Sequence, residues 1–381
     1  MSERLPLRAH FPWMDTGDVV YLNAASTGPH PERAVAKGAE WLALRAQPQR
    51  ITIPHMVNAA QHAREHFAAM IGADADEIAL MPNTTYGLNL AARGLPLRPG
   101  TILTFDGEFP SCVYPFMALG SRGVSLERVP FAEDGLPDET ELVRRIGRGD
   151  VVAVVVSWVQ YASGFVTDLA RVGAACRAAG AFFIVDGIQG VGVRPIDVHA
   201  LGIDILASGA QKWMLSPWGT GFVYVRRDLH DTVRAPDVGW ACMTASQDYA
   251  WLTHYDDTFL PDARRFEVVT LAYHDFGVAV EALQAMRDAG GPTALEAHIA
   301  ALGDRIVAWA AERDDVRLWT PADRARRAGV FALVPDDLDA AMNRLKAAGV
   351  VCVPREGAVR LAPHGYNTLE DVERALAALG G

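Results

Sequence analysis

Two short apolar runs stand out in residues 181–227, which have the sequence AFFIVDGIQGVGVRPIDVHALGIDILASGAQKWMLSPWGTGFVYVRR. The runs Phe182–Val185 and Ile203–Ala207 are rich in β-branched and aromatic residues and lie between glycines, which is typical of buried strands in a parallel sheet. Asp186 closes the first run, and Lys212 follows the second. Because ligands of such sheets bind at the carboxyl ends of the strands, this carboxylate and this amine are expected to face one crevice.

The pairing of Asp186 with Lys212 indicates a particular cofactor. An amine that follows a buried strand and precedes the apolar run Trp213–Leu215 is desolvated, which lowers its pKa toward Schiff-base reactivity. Pyridoxal phosphate (PLP) is the cofactor whose chemistry uses a lysine together with a carboxylate. Taken singly, each residue has an ordinary interpretation, Asp186 as a turn residue and Lys212 as a solvated surface lysine.

The composition is that of an ordinary globular protein. The 381 residues are 50% hydrophobic and 21% charged, and the formal net charge is −11, which favours neither nucleic acid nor an anionic membrane surface as a partner. The sequence shows no signal-peptide core and no run of about 18 apolar residues, so we expect a cytoplasmic protein. The cysteines Cys112, Cys176, Cys242 and Cys352 are scattered without a C-x-x-C pair, which argues against a disulfide framework and structural zinc.

The order of predicted elements favours an α/β fold. From about residue 76 to 226 helices alternate with strands, which is the signature of a mainly parallel sheet. The strands predicted before the two central runs are 100–105, 124–129 and 151–157, and the helices are 81–92, 138–147 and 168–179. Two further Ala-rich helices are predicted at 32–47 and 55–71.

The C-terminal third has a different pattern. After long helices at 271–289 and 294–313 it alternates a strand at 329–334, a helix at 336–348, a strand pair within 350–362 and a helix at 368–379. This pattern is typical of a compact α+β unit. We therefore predict a large domain at 21–264 and a smaller C-terminal domain at 265–381, with residues 1–20 packing against the smaller one.

Two motifs suggest other functions. His62–His66 has the H-x-x-E-H spacing of a zinc metalloprotease class, but no third ligand is evident, and we interpret it as a polar helix face and predict no metal site. Gly187–Gly192 resembles a dinucleotide-binding loop, although its glycines have the order G-x-x-G-x-G and Pro195 falls where the helix should continue. A nucleotide-binding oxidoreductase and a catalytically inactive relative thus stay as alternatives from other classes.

A family resemblance extends over most of the chain. It rests on segments in family-like order, which are Tyr21–Ala25, Asn83–Asn89, Glu108–Pro110, Val185–Gln189, Gln211–Trp213, Gly219–Gly221, Arg265–Glu267, Arg360 and Tyr366–Thr368. On these segments the chain resembles the class V aminotransferase family of fold-type I PLP enzymes, which includes cysteine desulfurases, selenocysteine lyases, kynureninases and isopenicillin N epimerase-like proteins. The resemblance implies a large domain built on a mainly parallel, seven-stranded sheet.

The resemblance also implies residues that hold the cofactor. Lys212 would form the internal aldimine, and Asp186 would keep the pyridine nitrogen protonated. Thr84 and Thr85 would bind the phosphate at a helix start, which is a favourable anion site, and Gln189 would bind the ring hydroxyl.

Four further positions match the family's cofactor site. Gln211 stands where the family usually has a phosphate-contacting His, and Phe109 stands where desulfurases carry a His that stacks on the ring. Tyr161 falls where many members have an Asn near the ring hydroxyl. Thr220 matches a residue that reaches the phosphate of the neighbouring subunit, which implies a homodimer with active sites at the subunit interface.

The remaining matches concern the substrate. Arg360 matches the arginine that binds a substrate carboxylate, which suits a small amino acid, and Asn23 and Ala24 are assigned to the same substrate site. Desulfurases carry a nucleophilic Cys on a mobile loop shortly before this arginine, whereas Cys352 lies in an apolar strand pattern that predicts a buried, inert thiol. The family's Gly-Thr-Pro is also altered, to Val268–Leu271.

The predicted function is therefore that of a PLP-dependent aminotransferase or a β-eliminating C–S lyase. The alternatives within the family are an epimerase of the isopenicillin N type and a cysteine desulfurase, the latter disfavoured by the absence of a loop Cys.

Overall fold

The structure is a computed structural model that describes residues 5–268 and 270–381. Its strands are β1 (Val20–Tyr21), β2 (Ile78–Met81), β3 (Gly100–Phe105), β4 (Val124–Val129), β5 (Val151–Ser157), β6 (Phe182–Asp186), β7 (Ile205–Gly209), β8 (Gly221–Val225), β9 (Val316–Leu318), β10 (Phe331–Pro335), β11 (Val350–Val351), β12 (Val353–Arg355) and β13 (Ala358–Leu361). Its helices are α1 (Glu32–Ala46), α2 (Ile53–Ile71), α3 (Thr84–Gly94), α4 (Pro110–Met117), α5 (Glu139–Ile146), α6 (Leu169–Ala179), α7 (Val198–Leu201), α8 (Tyr273–Asp288), α9 (Gly291–Ala311), α10 (Leu338–Ala347) and α11 (Leu369–Gly380). The predicted segments 1–20 and Val268–Leu271 lie partly outside the described residues.

The central sheet lies in the first two thirds of the described chain. Its seven strands have the order β2-β8-β7-β6-β5-β3-β4. Neighbours from β4 to β7 pair in parallel, whereas β8 is antiparallel to both β2 and β7. The predicted α/β fold with a mainly parallel sheet is confirmed. Because β4 and β5 lie on opposite sides of β3, the strand order reverses there, and the carboxyl ends of β3, β5, β6 and β7 border one crevice.

Helices cover both faces of this sheet, and the strand β5 shows how the sequence produces that arrangement. Every residue of β5 is buried, and successive side chains point to opposite faces. Val154 and Val156 belong to the apolar core on one face, while Ala153 and Val155 belong to the core on the other. A continuous Val-rich strand is therefore expected only where both faces are covered.

A second, smaller sheet forms a separate C-terminal domain, in which β12, β13, β10 and β9 are joined in that order by antiparallel pairing. Three short strands occupy the segment 350–362, and the last two of them, β12 and β13, form the predicted strand pair. The first of them, β11, instead pairs in parallel with β1 near the N-terminus. The short strand β9 and the helix α4 were not predicted, because three residues and an internal Pro115 leave little periodic signal.

The N-terminal segment contacts the C-terminal domain through a buried arginine. Arg8 donates to the carbonyl of Tyr366 at 2.8 Å and to Oδ2 of Asp371 at 3.0 Å. The domain boundaries at 20/21 and 264/265 stay predictions. Within the described residues, no helix is both long and apolar enough to cross a membrane.

Candidate active site

Asp186 ends β6 and is buried at the floor of the crevice. Its Oδ1 accepts the N–H of Ile188 at 2.9 Å. Burial raises the pKa of this carboxyl, while the Ile188 hydrogen bond and the charge of Lys212 oppose the increase. A buried carboxylate of this kind is strongly stabilised when a cation lies against it.

Lys212 lies on the loop after β7, in the same crevice. Burial lowers the pKa of its amine to about 8, and the nearby Asp186 charge partly opposes that shift. The amine is therefore more readily neutral near neutral pH than that of an ordinary lysine, and the neutral amine is the form that attacks an aldehyde. The amine also lies over the ring of Phe109, with Nζ 5.8 Å from the ring centroid.

The Lys212 loop is supported from below by the turn that begins at Asn23. The N–H of Gly28 donates to the carbonyl of Gln211 at 2.8 Å, and a Cβ added at Gly28 would lie 2.2 Å from the carbonyl oxygen of Lys212. Only glycine allows this close approach. A small residue at position 28 is thus needed for the turn at 23–28 to pack closely against the lysine loop.

Trp213 and Gln189 hold the other side of the lysine loop. The indole of Trp213 is buried and donates to Oε1 of Gln189 at 2.7 Å, and Nε2 of Gln189 donates to the carbonyl of Ala25 at 3.1 Å. The amide nitrogen of Gln189 retains a second proton that it can donate. Its assignment to the ring hydroxyl stays a prediction.

Arg360 lies on β13 with its guanidinium buried at the side of the crevice. Nη1 donates to the carbonyl of Tyr161 at 2.9 Å, and Nη2 donates to Oγ of Ser26 at 2.7 Å. Nε has no hydrogen-bond partner within the described residues. Burial lowers the pKa of this group to about 10, so it stays charged near neutral pH. A buried cation that has only neutral partners is suited to bind an anion.

Asn23 and Ala24 lie beside Arg360 through backbone pairing. The N–H of Ala24 donates to the carbonyl of Ala362 at 3.2 Å, so this amide is already used within the protein. The side-chain oxygen of Asn23 is buried and lacks a partner in the described part of the chain. Asn23 is therefore the better placed of the two to meet a ligand, and both assignments to the substrate stay predictions.

The start of α3 provides an anion site next to the lysine loop. The N–H groups of Thr84 and Thr85 are the first of the helix and have no acceptor within it. Oγ of Thr84 accepts the N–H of Gly209 at 2.8 Å, which joins the helix to the end of β7. Oγ of Thr85 lies 2.8 Å from Oγ of Ser111. The side chain of Gln211 folds over Gly209, where an added Cβ would lie 2.4 Å from its Oε1.

Tyr161 and Phe109 form the upper wall of the crevice. Their rings meet edge to face with centroids 5.4 Å apart. Phe109 is partly exposed, as expected of a side chain that covers a ligand. The remaining predicted residue, Thr220, is buried, and its hydroxyl donates to the carbonyl of Pro217 at 2.6 Å.

A buried carboxylate that the sequence reasoning did not assign lies beside Asp186. Glu108 accepts hydrogen bonds from the N–H and hydroxyl of Ser157 at 2.8 and 2.5 Å and from the amide of Gln160 at 2.9 Å. Burial raises the pKa of Glu108 to about 7, against these hydrogen bonds. Glu108 and Ser157 follow the carboxyl ends of two neighbouring strands, so the rule that selected Asp186 could have found them.

Cys112 is a second residue that the sequence reasoning missed. It lies on α4, and its thiol donates to Oδ2 of Asp186 at 3.7 Å. Burial raises the pKa of Cys112 well above its ordinary value, so the thiol stays protonated and acts as a donor. No local pattern marks this contact, because it depends on how α4 packs on the sheet.

The other sequence motifs lie outside the crevice. His62 and His66 both lie on α2, and in the described residues no group of three His, Cys, Asp or Glu side chains could hold a metal ion. Cys352 lies between β11 and β12 and is half-buried, and burial raises the pKa of its thiol to about 12.

Comparison with known proteins agrees with this geometry. The family model for aminotransferase class-V matches residues 20–374. The chain belongs to this family. An uncharacterized aminotransferase, YcbU of Bacillus subtilis (strain 168), is 29% identical over 321 residues, which cover 84% of this chain and 83% of that protein. The isopenicillin N epimerase of Streptomyces clavuligerus is 28% identical over 381 residues, which cover 95% and 94%.

The fold agrees as well. The apo structure of a cysteine desulfurase from Thermococcus onnurineus NA1 matches with a TM-score of 0.86 at 24% identity, covering 99% of this chain and 97% of that one. The predicted fold type I architecture is confirmed. Because the class V aminotransferase family is PLP-dependent, the predicted cofactor is also confirmed, and the chain is a PLP-dependent transferase or lyase.

The residues of the crevice fit PLP. Asp186 offers a buried carboxylate to the ring nitrogen, Phe109 offers an aromatic face to the ring, and Lys212 offers an amine to the aldehyde. The start of α3 offers N–H groups to the phosphate. The roles of the individual residues remain predictions.

Proposed function

We propose that this PLP enzyme is an aminotransferase that acts on an α-amino acid. The observation that carries the proposal is the convergence of Lys212, Asp186 and the partly unpaired guanidinium of Arg360 on one crevice. The first two suit the cofactor, and the third suits the α-carboxylate of an amino acid. The similarity to a protein named as an uncharacterized aminotransferase is in line with transamination.

Each of these residues has a distinct role. Arg360 binds the α-carboxylate as a bidentate fork and thereby orients the Cα–H bond. Lys212 would hold the cofactor through its aldehyde, and its amine is placed to remove the α-proton as a general base. Asp186 holds a proton at the ring nitrogen, which allows the bound cofactor to accept the electrons of the broken bond. Thr84 and Thr85 hold the phosphate.

A desulfurase is a poorer candidate because the crevice lacks a suitable thiol. That reaction needs a mobile, deprotonated cysteine, whereas the pKa of Cys352 is raised to about 12 by burial. The segment between β12 and β13 is also only a two-residue turn, with no loop long enough to carry a cysteine into the crevice. A reactive thiolate at this position is therefore not expected.

We also propose that the enzyme is a homodimer with its active sites at the subunit interface. Thr220 lies near the start of α3, and Trp218, two residues before it, leaves 73% of its surface exposed. A large exposed aromatic residue beside a phosphate site is typical of a surface that a second subunit covers.

A single-turnover experiment tests the proposed reaction. The PLP-loaded enzyme is mixed with individual amino acids in the absence of an oxo acid. We expect one equivalent of 2-oxo acid together with pyridoxamine phosphate, and recovery of the original absorbance when a second 2-oxo acid is added. Oxo acid with a released thiol or ammonia indicates a lyase instead, and solvent deuterium at the α-carbon without net product indicates an epimerase. Either result would contradict transamination.

Replacing Arg360 with Ala is expected to raise KM for the amino acid about 100-fold, because hydrogen bonds to a charged carboxylate are lost. The cofactor absorbance should be unchanged, since Arg360 serves the substrate. Arg360→Lys keeps the positive charge but loses the bidentate geometry, so its KM is expected to lie between those of the wild type and Arg360→Ala. Steady-state kinetics give the comparison, and an unchanged KM in Arg360→Ala would exclude this residue from the substrate site.

A further inference from the structure

The hairpin of β12 and β13 carries a second guanidinium beside Arg360. Arg360 lies opposite Val353, and Arg355 lies opposite Ala358 in the antiparallel pairing. Opposed residues share a face of the sheet, as do residues two apart on one strand. Arg355 is thus the diagonal cross-strand neighbour of Arg360 on the same face, at a separation of about 7–8 Å for such pairs.

The turn of this hairpin is tight and is anchored at the crevice. Glu356 and Gly357 both have positive φ, 47° and 81°, as in the two-residue turns that suit the twist of a hairpin. Oε1 of Glu356 accepts the hydroxyl of Tyr161 at 2.8 Å, and the carbonyl of Tyr161 accepts Nη1 of Arg360. Tyr161 therefore holds both the turn and the arginine.

The contacts of Tyr161 locate Arg355 at the mouth of the site. Its ring meets that of Phe109, and the amine of Lys212 faces the Phe109 ring at 5.8 Å from the centroid. Arg355, one residue before the tethered Glu356, is therefore close to the reacting end of the crevice. Burial is the main cause of the lowered pKa of Lys212 and of Arg360, and the charge of Arg355 adds to the lowering of both.

Arg355 has no ion-pair partner among the described residues. Its guanidinium is exposed, and in the described residues it makes one long hydrogen bond, to the carbonyl of Pro354 at 3.4 Å, and no ion pair. The nearby carboxylate of Glu356 is turned to the Tyr161 hydroxyl. The crevice therefore has the buried guanidinium of Arg360 at its side and the exposed guanidinium of Arg355 at its mouth, which favours a substrate with more than one negative charge.

We infer that Arg355 binds a second carboxylate in the substrate side chain, so that the preferred substrate is a dicarboxylic amino acid of the size of aspartate or glutamate. This inference rests on the proposed function, because Arg360 must hold the α-carboxylate for Arg355 to reach the distal one. The guanidinium of Arg360 can then bind the α-carboxylate while the guanidinium of Arg355 binds the side-chain carboxylate.

Equilibrium binding tests the inference without turnover. Dissociation constants are obtained from the change in cofactor absorbance as the PLP-loaded enzyme is titrated with the α-methyl derivatives of glutamate and glutamine, and of aspartate and asparagine, which have no α-proton and therefore cannot be transaminated. In at least one pair we expect the wild type to bind the acid about 10- to 100-fold more tightly than its amide, as for hydrogen bonds to a charged group. In Arg355→Gln this ratio should fall toward one, and Arg355→Lys should retain part of it.

Arg317→Gln is the matched control, because Arg317 is an exposed arginine on β9, at the other edge of the same sheet. It should keep the wild-type ratio. Equal binding of acid and amide by the wild type, or a wild-type ratio in Arg355→Gln, would overturn the inference while leaving the proposed function intact. Failure of the wild type to take up PLP would overturn both.

Discussion

Replacing Lys212 with Ala is expected to abolish covalent attachment of PLP and to lower kcat by at least about 10²–10⁴-fold, the contribution of a positioned general base alone. Two functions of one amine are lost, the bond to the cofactor aldehyde and the removal of the α-proton. Burial lowers the pKa of Lys212, so its amine is more readily neutral near neutral pH than that of an exposed lysine.

The lysine that binds the cofactor can be identified unambiguously, because the whole chain has three lysines, Lys37, Lys212 and Lys346. Borohydride reduction of the PLP-loaded enzyme, followed by peptide mass spectrometry, should place the cofactor on Lys212. Lys346→Ala is the matched control, because Lys346 is exposed on α10, and this variant should keep both absorbance and activity. A reduced adduct that persists in Lys212→Ala would show that the lysine has been misassigned.

Replacing Arg64 with Ala is expected to destabilise the fold by about 3–5 kcal/mol, the usual effect of removing one partner of a buried ion pair. Arg64 on α2 donates to both carboxylate oxygens of Glu267 at 2.7 Å, and each side chain leaves only 6% of its surface exposed. Oε1 of Glu267 also accepts the N–H of Leu80 on β2 at 2.8 Å. The variant would leave a buried carboxylate with a backbone amide as its remaining partner.

Urea unfolding measures the loss, because the shift of the unfolding midpoint gives the change in the free energy of unfolding relative to the wild type. The exposed pair of Arg305 and Glu373, joined at 2.5 Å, serves as the control, and Arg305→Ala should cost about 1 kcal/mol or less. A double variant, Arg64→Met with Glu267→Gln, should recover part of the loss because no buried charge remains. Equal, small shifts in Arg64→Ala and Arg305→Ala would contradict the assigned role of the buried pair.

The helix α2 shows that local residue spacing can point to the wrong side chains. In His62–His66 the histidines and Glu65 attract attention by their spacing, yet His62 and Glu65 face solvent. Arg64, between them, is the residue that turns inward, toward a glutamate 203 positions away in the chain. Arg265 and Glu267 belong to one segment of the family resemblance, but their side chains have different partners. Arg265 pairs with Asp231, and Glu267 pairs with Arg64.

The sequence by itself determined the α/β alternation, the buried strands that end at Asp186 and precede Lys212, and through them the cofactor. These features depend on hydrophobic periodicity and on residue type, which are local properties of the chain. Only the tertiary structure decided that Cys112 lies beside Asp186, that β11 pairs with β1, and that Arg355 and Arg360 share a face. Such contacts follow from strand register and helix packing, where a shift of one residue turns each side chain to the opposite face.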